Sequence, residues 1–246
     1  MKIINAGENK MKKAVYKRAI IKLSGEALAG EKGHGIDEDI LSKVCDQIIE
    51  VKNMGVEVGI IVGGGNFWRG RQGTQMADRT AADHMGMLAT VMNALAIQDA
   101  LERKGAPTRV QTALTITRVA EPYILRKAMS HLSKGRIVIF ACGTGNPFFT
   151  TDTAAALRAA EINANVLLLA KNVDGIYDSD PKVNPNAKKL KEVSYKEYIE
   201  KGLKAMDTTA ITICMENKIP VLAFGLFEKD ALTRAVSGED LGTIIK

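Results

Sequence analysis

An apolar run that leads into a polar glycine loop constrains the fold of this chain more than any other feature. Residues 136–142 carry the β-branched and aromatic side chains of a strand buried on both faces of a parallel sheet. Residues 143–152 then supply two glycines, three threonines, two phenylalanines and an aspartate. Thr150 and Thr151 are typical N-cap residues, and Asp152 falls in the first turn of the helix predicted at 153–162. Because a helix start offers free N–H groups and a partial positive charge, this order of elements predicts a phosphate site.

An ordinary strand–turn–helix connection is the alternative. It would explain the glycines and one threonine, but not the concentration of threonines, aromatic residues and an aspartate in one loop. Loops at the carboxyl ends of strands are where α/β sheets bind ligands, so a functional role is favoured.

The same pattern occurs earlier in the chain. The apolar residues 58–62 lead into Gly63, Gly64, Gly65 and Asn66, with two aromatic residues and Arg69 following. Both loops therefore read Gly-x-Gly-Asn at the end of an apolar run. Two such loops at one edge of a sheet predict a shared cleft for two anionic groups.

A lysine ends the first predicted strand, and Ser24 and Gly25 follow it closely. Lys22 is placed either to bind a phosphate as a point charge or to lie in solvent at the strand end, and the residues alone leave both open. The Gly-x4-Gly-Lys-Ser/Thr pattern of a P-loop is absent from the sequence.

Composition excludes several other classes of protein. The chain has 246 residues, 46% of them hydrophobic and 25% charged, as in soluble globular proteins. It has no apolar run long enough to span a membrane and no signal-peptide core, so we expect a cytoplasmic protein. Its 3 cysteines and 3 histidines lack metal-ligand spacing, which predicts buried free thiols and no structural metal. The net charge of +6 favours anionic ligands, but scattered lysines and arginines without a recognition motif argue against nucleic acid.

Strands and helices alternate through the first two thirds of the sequence. Strands are predicted at 15–23, 56–62, 108–113, 136–142 and 166–170, and helices at 37–54, 81–104, 122–132 and 153–162. The alternation predicts an α/β fold, a three-layer αβα sandwich around a mostly parallel central sheet. From about residue 171 we expect a less regular lobe, with helices at 195–201, 208–217 and 229–237 and strands at 220–225 and 243–245. The predicted division is an N-terminal extension, 1–13, and one domain, 14–246, with lobes at 14–170 and 171–246.

The polar residues near the glycine loops suit phosphoryl transfer. Lys22 and Arg69 are isolated cations, and Asp83, Asp152 and Asp207 are placed at predicted helix starts. Helix capping would explain Asp83 and Asp207, whereas a ligand role for Asp83 would be to accept hydrogen bonds from a sugar. No nucleophile–base pair and no zinc signature is present, and phosphoryl transfer depends mainly on positioning and charge stabilisation.

Four stretches identify a family. Residues 22–28, 63–70, 83–90 and 143–152 closely resemble the bacterial uridylate kinases of the amino-acid kinase superfamily, and the resemblance extends over residues 14–246. The stretches at 83–90 and 143–152 are specific to uridylate kinases. The family resemblance implies transfer of the γ-phosphoryl group of ATP to UMP, with Mg²⁺, in pyrimidine nucleotide biosynthesis. It also makes 14–170 the UMP-binding lobe and 171–246 the ATP-binding lobe.

The resemblance also implies roles for individual residues. The catalytic set is Lys22, Arg69, Asp152 and Asp207. The ATP-binding set is Lys22, Leu23, Ser24, Gly25, Gly65, Arg69, Lys171, Asn172, Tyr177 and Asp180. The UMP-binding set is Gly64, Asp83, Thr144, Gly145, Asn146, Pro147, Phe148, Phe149, Thr150 and Thr151. In these sets Lys22 and Arg69 stabilise the transferring group, Asp83 binds the ribose, and the last four ATP-binding residues surround the adenine and its ribose. Asp152 and Asp207 orient the cations or the Mg²⁺-nucleotide.

Regulation and assembly are implied in the same way. The family is homohexameric, activated by GTP and inhibited by UTP. The family segment that is linked to GTP activation matches Gly30, Glu31, Lys32, Gly33, His34 and Gly35. Without the resemblance, these residues predict only a surface loop. Ala82 and the pair Phe67 and Trp68 depart from common family residues without touching a predicted polar contact. An amino-acid or carbamate kinase, a non-catalytic nucleotide-sensing or DNA-binding regulator and a dinucleotide dehydrogenase are the alternatives.

Overall fold

The computed structural model describes residues 13–68, 78–179 and 183–246. Within these ranges the strands are β1 (Arg18–Leu23), β2 (Glu57–Val62), β3 (Thr108–Thr112), β4 (Glu121–Pro122), β5 (Ile137–Ala141), β6 (Val166–Lys171), β7 (Ile176–Tyr177), β8 (Lys189–Leu190), β9 (Glu192–Val193), β10 (Val221–Gly225) and β11 (Thr243–Ile245). The helices are α1 (Gly25–Ala29), α2 (Glu38–Asn53), α3 (Arg79–Arg103), α4 (Leu125–Ser133), α5 (Thr151–Glu161), α6 (Tyr195–Glu200), α7 (Thr208–Glu216) and α8 (Ala231–Val236).

One nine-stranded sheet forms the middle layer, in the order β4-β3-β5-β2-β1-β6-β10-β11-β9. Neighbouring strands pair in parallel except β10 and β11, which are antiparallel. The sheet crosses the expected lobe boundary near residue 171 without interruption, since β6 and β10 lie side by side. A separate hairpin joins β7 and β8, in the part of the chain that the sequence predicts to be less regular.

Helices cover both faces of this sheet, which confirms the predicted three-layer sandwich. Alternate residues of β1 face opposite cores: Ile21 packs with α1, α2, α3 and α8, whereas Ile20 packs with α4, α5, α6 and α7. The central strands are buried on both faces, as their continuous apolar runs predict. Cys45, Cys142 and Cys214 are buried free thiols, as expected.

Several predicted boundaries need correction. The first strand begins at Arg18 rather than at residue 15, and α4 begins at Leu125 because Glu121–Pro122 pair with β3 as an edge strand. Asp83 does not lie in the first turn of α3: Asp78 is the N-cap, accepting from the N–H groups of Thr80 and Ala81 at 2.7 and 3.1 Å. The described ranges contain no helix with the length and apolar composition that a membrane crossing requires.

Candidate active site

The carboxyl ends of β5, β2, β1 and β6 lie side by side at one edge of the sheet. Each strand ends in one of the polar segments that the sequence predicts to be functional. These segments are the 143–152 loop, the glycines at 63–65, the Ser24–Gly25 turn and the stretch after Lys171. The predicted shared cleft is therefore present, because adjacent parallel strands bring their following loops together.

The segments that follow β1 and β2 touch so closely that side chains are excluded between them. A Cβ atom added to Gly25 would lie 2.7 Å from the carbonyl oxygen of Gly63 and 2.9 Å from the amide nitrogen of Gly65. Ser24 begins α1, and its hydroxyl accepts from the N–H of Ala27 at 3.1 Å. The tight turn expected at Ser24 and Gly25 is thus the start of a short helix whose first residue must be glycine.

Two buried asparagines fix the second glycine loop, and sequence reasoning missed their function. The side-chain amides of Asn66 and Asn93 bond to each other at 2.9 and 2.7 Å. Asn93 also donates to the carbonyl of Gly63 at 2.7 Å, and Asn66 donates to the carbonyl of Gly35 at 2.6 Å. A buried amide without a hydrogen-bond partner costs free energy, so Asn93 on the inner face of α3 was the sequence signal that a polar partner lies opposite it. The pair also links the 30–35 segment, which begins with a 3-10 turn at Gly30–Lys32, to the cleft.

An ion pair lies at the centre of the edge. The Nζ atom of Lys22 is 2.7 Å from Oδ1 of Asp152, and the two side chains are only 11% and 19% exposed. This burial rules out the alternative of a lysine solvated at the strand end. The pair joins the end of β1 to the first turn of α5, where Asp152 was predicted.

Asp207 holds the starts of α5 and α7 together. Its carboxylate caps α7, accepting from the N–H of Ala210 at 2.8 Å. It also accepts from the hydroxyl of Thr153 at 3.0 Å and from the hydroxyl of Thr150. The predicted capping role is confirmed, and the contacts with α5 add a link between the two predicted lobes that the sequence did not indicate.

Lys171 comes next to this centre, at the end of β6. Its ammonium group donates to the carbonyl of Ala205, two residues before Asp207. Burial lowers its pKa below the ordinary lysine value; the carboxylate of Asp152 opposes this shift, and the Lys22 ammonium adds to it. Lys171 therefore lies within electrostatic range of the ion pair.

Asp83 lies beside a cavity of about 150 Å³ that the 143–152 loop, from here on called the central loop, also lines. Its Oδ2 atom accepts from the backbone N–H of Phe148 at 2.7 Å and from Nε of Arg79 at 2.9 Å. We call this space the Asp83 cavity; it is lined by Gly64, Trp68, Ala82, Asp83, Gly86, Met87, Thr90, Gly143, Thr144, Phe149, Thr150 and Thr151. The structure thus brings Asp83, Gly64 and much of the predicted UMP-binding loop around one space.

The central loop is held in an unfavourable backbone conformation. Cys142 and Phe148 have φ angles of 64° and 72°, values that non-glycine residues rarely adopt. The hydroxyl of Thr90 accepts from the N–H of Cys142 at 2.8 Å, and the guanidinium of Arg79 lies 5.0 Å from the ring centre of Phe148. Strain of this kind persists where the surrounding contacts maintain it, often at functional sites.

Three of the predicted ATP-binding residues, Lys171, Asn172 and Tyr177, line two different cavities. A cavity of about 520 Å³, which we call the Tyr177 cavity, is lined by Lys171, Val173, Gly175, Ile176, Tyr177, Asp178, Ser179, Lys201, Gly202, Leu203, Lys204 and Ala205. Asn172 instead lines a different cavity with Gly30, Glu31 and Lys32 of the predicted GTP segment. Arg69 and Asp180 lie outside the described residues.

The sequence and the fold are both similar to those of known proteins. The amino acid kinase family profile matches residues 17–224. The fold is similar to the crystal structure of a UMP kinase from Bacillus anthracis, with a TM-score of 0.91, 38% identity, and coverage of 94% of this chain and 96% of that chain. A UMP kinase from Ureaplasma parvum gives a TM-score of 0.88 at 36% identity, over 94% and 98% of the two chains. A uridylate kinase from Archaeoglobus fulgidus gives 0.72 at 26% identity, over 93% and 99%. The chain belongs to the amino acid kinase family, and within it to the UMP kinases.

Proposed function

We propose that this protein is an ATP-dependent kinase that converts UMP to UDP in pyrimidine nucleotide biosynthesis. The observation that carries the proposal is the buried Lys22–Asp152 ion pair, which has residues of two cavities as neighbours. Asp152 follows Thr151 of the Asp83 cavity, and Lys171 of the Tyr177 cavity lies within electrostatic range of the pair. An acceptor on one side and a donor on the other would meet at the cation.

The reaction needs positioning more than it needs a base. A phosphate oxygen of UMP attacks the γ-phosphorus of ATP, the bond to the oxygen that bridges to the β-phosphorus breaks, and ADP leaves. The acceptor oxygen is already ionised near neutral pH, so no proton has to be removed. The barrier is repulsion between two anions, which fixed cations and N–H groups relieve. Lys22 is the described cation at this point, Asp152 holds it in place, and Arg69 is proposed as a second.

UMP is assigned to the Asp83 cavity. The carboxylate of Asp83 would accept hydrogen bonds from the ribose hydroxyls, and the 144–151 loop would surround the base and phosphate. Gly64 supports this assignment because its Cβ would lie 2.8 Å from both the Ala89 Cβ and the Gly86 carbonyl oxygen, so the loop can pack on α3 only with glycine there. Thr150 and Thr151 line this cavity at the start of α5, and a helix start offers N–H groups to a phosphate.

ATP is assigned to the strand ends of β1 and β6. Its phosphates would lie along residues 22–25 and Gly65, and its adenine and ribose in the Tyr177 cavity, where Lys201 and Lys204 add positive charge. Mg²⁺ would arrive on the phosphates and neutralise their charge. The described residues contain no group of three or more His, Cys, Asp or Glu side chains that could hold a metal. Asp152 and Asp207 would orient the cations around it.

Assembly and regulation complete the proposal. Met85, Leu88 and Met92 are 41%, 51% and 51% exposed on one face of α3. An exposed apolar stripe of this kind supports self-association, and we propose a homohexamer. GTP is the proposed activator through the 30–35 segment, which Asn66 connects to the cleft, and UTP the proposed inhibitor. The cytoplasmic location stays a prediction.

The test is ADP release from Mg²⁺-ATP by the purified protein, with UMP, dUMP, CMP, AMP, aspartate and glutamate tried in turn. Turnover with UMP in preference to the other acceptors is expected. Turnover with an amino acid alone would overturn the assignment of the Asp83 cavity, and UMP binding without turnover would favour a regulator.

A variant of Lys22 tests the site itself. Lys22→Met should lower kcat at least about tenfold because a transition-state cation is lost, while calorimetry still detects UMP binding. The matched control is Lys196→Met, which removes a lysine that is 82% exposed on α6 and should leave kcat unchanged.

A further inference from the structure

The register of β1 and β6 places a second lysine on the same side of the sheet as Lys22. Lys22 pairs with Leu169 across the parallel strands, so these two side chains point to the same face. Lys171 follows Leu169 by two residues and therefore shares that face. It lies one step nearer to the carboxyl edge, where the cleft opens. The family resemblance, by contrast, assigns Lys171 to the adenine and ribose.

The contacts of Lys171 leave it able to bind an anion. Within the described ranges its ammonium donates to one protein acceptor, the carbonyl of Ala205. An ammonium group has three N–H donors, so two stay available. Burial lowers the pKa of Lys171, which means that the surrounding protein does not fully replace the hydration that the charged ammonium group loses. A neutral adenine or ribose would not make up for that loss, whereas a phosphate oxygen would.

The carbonyl that holds Lys171 is itself held rigidly. The hydroxyl of Tyr198 donates to the carbonyl of Met206 at 3.0 Å and accepts from its N–H at 2.7 Å. Asp207 then caps α7 and bonds to α5. The Lys171 ammonium group, held by this carbonyl, therefore needs little reorganisation when negative charge develops near it. Such preorganisation is the condition for electrostatic catalysis.

We propose that Lys171 binds the γ-phosphoryl oxygens of ATP during transfer, as a further cation beside Lys22, and that it does not contact adenosine. The proposal rests on the UMP kinase activity proposed above. Lys22 would approach the transferring group from the end of β1 and Lys171 from the end of β6. The step is the phosphoryl transfer already described, and no further reactant enters.

The experiment compares Lys171→Gln and Lys171→Met with the wild type, using Lys196→Met as the control. Glutamine keeps a donor for the carbonyl of Ala205 but carries no charge, and methionine keeps only the length of the side chain. We expect both variants to lower kcat about 100-fold while KM for ATP changes less than about threefold. The loss should be the same with 2′,3′-dideoxy-ATP, which lacks the ribose hydroxyls. Circular dichroism and calorimetric UMP binding check the fold.

Three results would overturn the proposal. A rise in KM for ATP with kcat retained would place Lys171 on the nucleoside. A loss seen with ATP but not with 2′,3′-dideoxy-ATP would make the ribose its partner. A Lys171→Gln variant with wild-type kcat would show that Lys171 only anchors the carbonyl of Ala205. If Lys171→Met does not fold, the result for Lys171→Gln is sufficient to decide. Wild-type protein without UMP kinase activity would instead refute the proposed function, so the two failures are distinguishable.

Discussion

Replacing Asp207 by alanine should destabilise the fold at the junction of α5 and α7. The substitution removes an N-cap, worth about 1 kcal/mol, and a charge-assisted hydrogen bond to Thr153, worth about 2 kcal/mol. The hydroxyl of Thr153 would be stranded because that residue is 4% exposed, whereas Thr150 is exposed and water can replace its bond. We therefore expect the free energy of unfolding to fall by about 3 kcal/mol, and the Tm by roughly 10 °C.

Urea unfolding followed by circular dichroism measures this loss. Ser194→Ala is the matched control, since Ser194 caps α6 through one side-chain bond, accepted from the N–H of Glu197 at 3.1 Å. It should cost only about 1 kcal/mol. A double-mutant cycle with Thr153→Val isolates the Thr153–Asp207 bond, and we expect a coupling energy of at least about 1 kcal/mol.

Two results would refute this reasoning. A loss no larger than that of Ser194→Ala would mean that Asp207 is only a cap, and a coupling energy near zero would mean that Thr153 gains nothing from the carboxylate. KM for UMP should also rise in Asp207→Ala, because Thr150 and Thr151 at the start of α5 lose their support. An unchanged KM would separate the stability of this junction from the UMP site.

Three further predictions concern the glycine loop after β2, Asp83 and two buried cysteines. Gly64→Ala should lower stability by about 2 kcal/mol and raise KM for UMP, whereas Gly65→Ala should be mild in urea unfolding because its Cβ would lie 3.6 Å from the nearest atom. Asp83→Asn should reduce the preference for UMP over dUMP, and an unchanged ratio of their kcat/KM values would remove Asp83 from the ribose. Burial raises the pKa of Cys45 and Cys214 from 9.0 to about 12. Between pH 9 and pH 12 the thiols ionise in the unfolded chain but not in the folded one. The free energy of unfolding should therefore be constant below about pH 9 and lower by roughly 1 kcal/mol per thiol at pH 10. Urea unfolding at several pH values should show a smaller decline for Cys45→Ala and for Cys214→Ala.

The sequence predicts the sandwich well because its strands are long apolar runs separated by regular helices. The runs at 56–62, 136–142 and 166–170 cannot be buried on both faces except in a covered parallel sheet, which is what forms. The glycine loops then had to meet at one edge. Short elements were less predictable: Glu121–Pro122 and the hairpin of β7 and β8 depend on pairing with distant partners. The predicted start of α3 near Asp83 was wrong because the N-cap of this helix is Asp78, which lies about one turn earlier.

Parts of the cleft could not be predicted because they depend on register and on contacts across the sheet. The side of the sheet that Lys171 faces follows from the pairing of β1 with β6, which local sequence does not encode. Asn93 has the spacing of an apolar α3 position, and its bonds to Gly63 and Asn66 span 30 and 27 residues. The division of three predicted ATP-binding residues between two cavities is likewise a property of the folded chain.

The carboxylates of the cleft have protein partners, and this explains how an acidic set of residues can serve anionic substrates. Asp152 pairs with Lys22, Asp207 binds two threonine hydroxyls and an N–H group, and Asp83 binds the N–H of Phe148. Carboxylates without partners would repel phosphates, and clustered lysines without carboxylates would repel each other during folding. Pairing solves both problems, because a carboxylate fixes the position of a cation whose remaining donors still face the ligand. In the proposed site the substrate would meet N–H groups and ammonium groups that are already oriented, so these charges would be arranged during folding and not during the reaction.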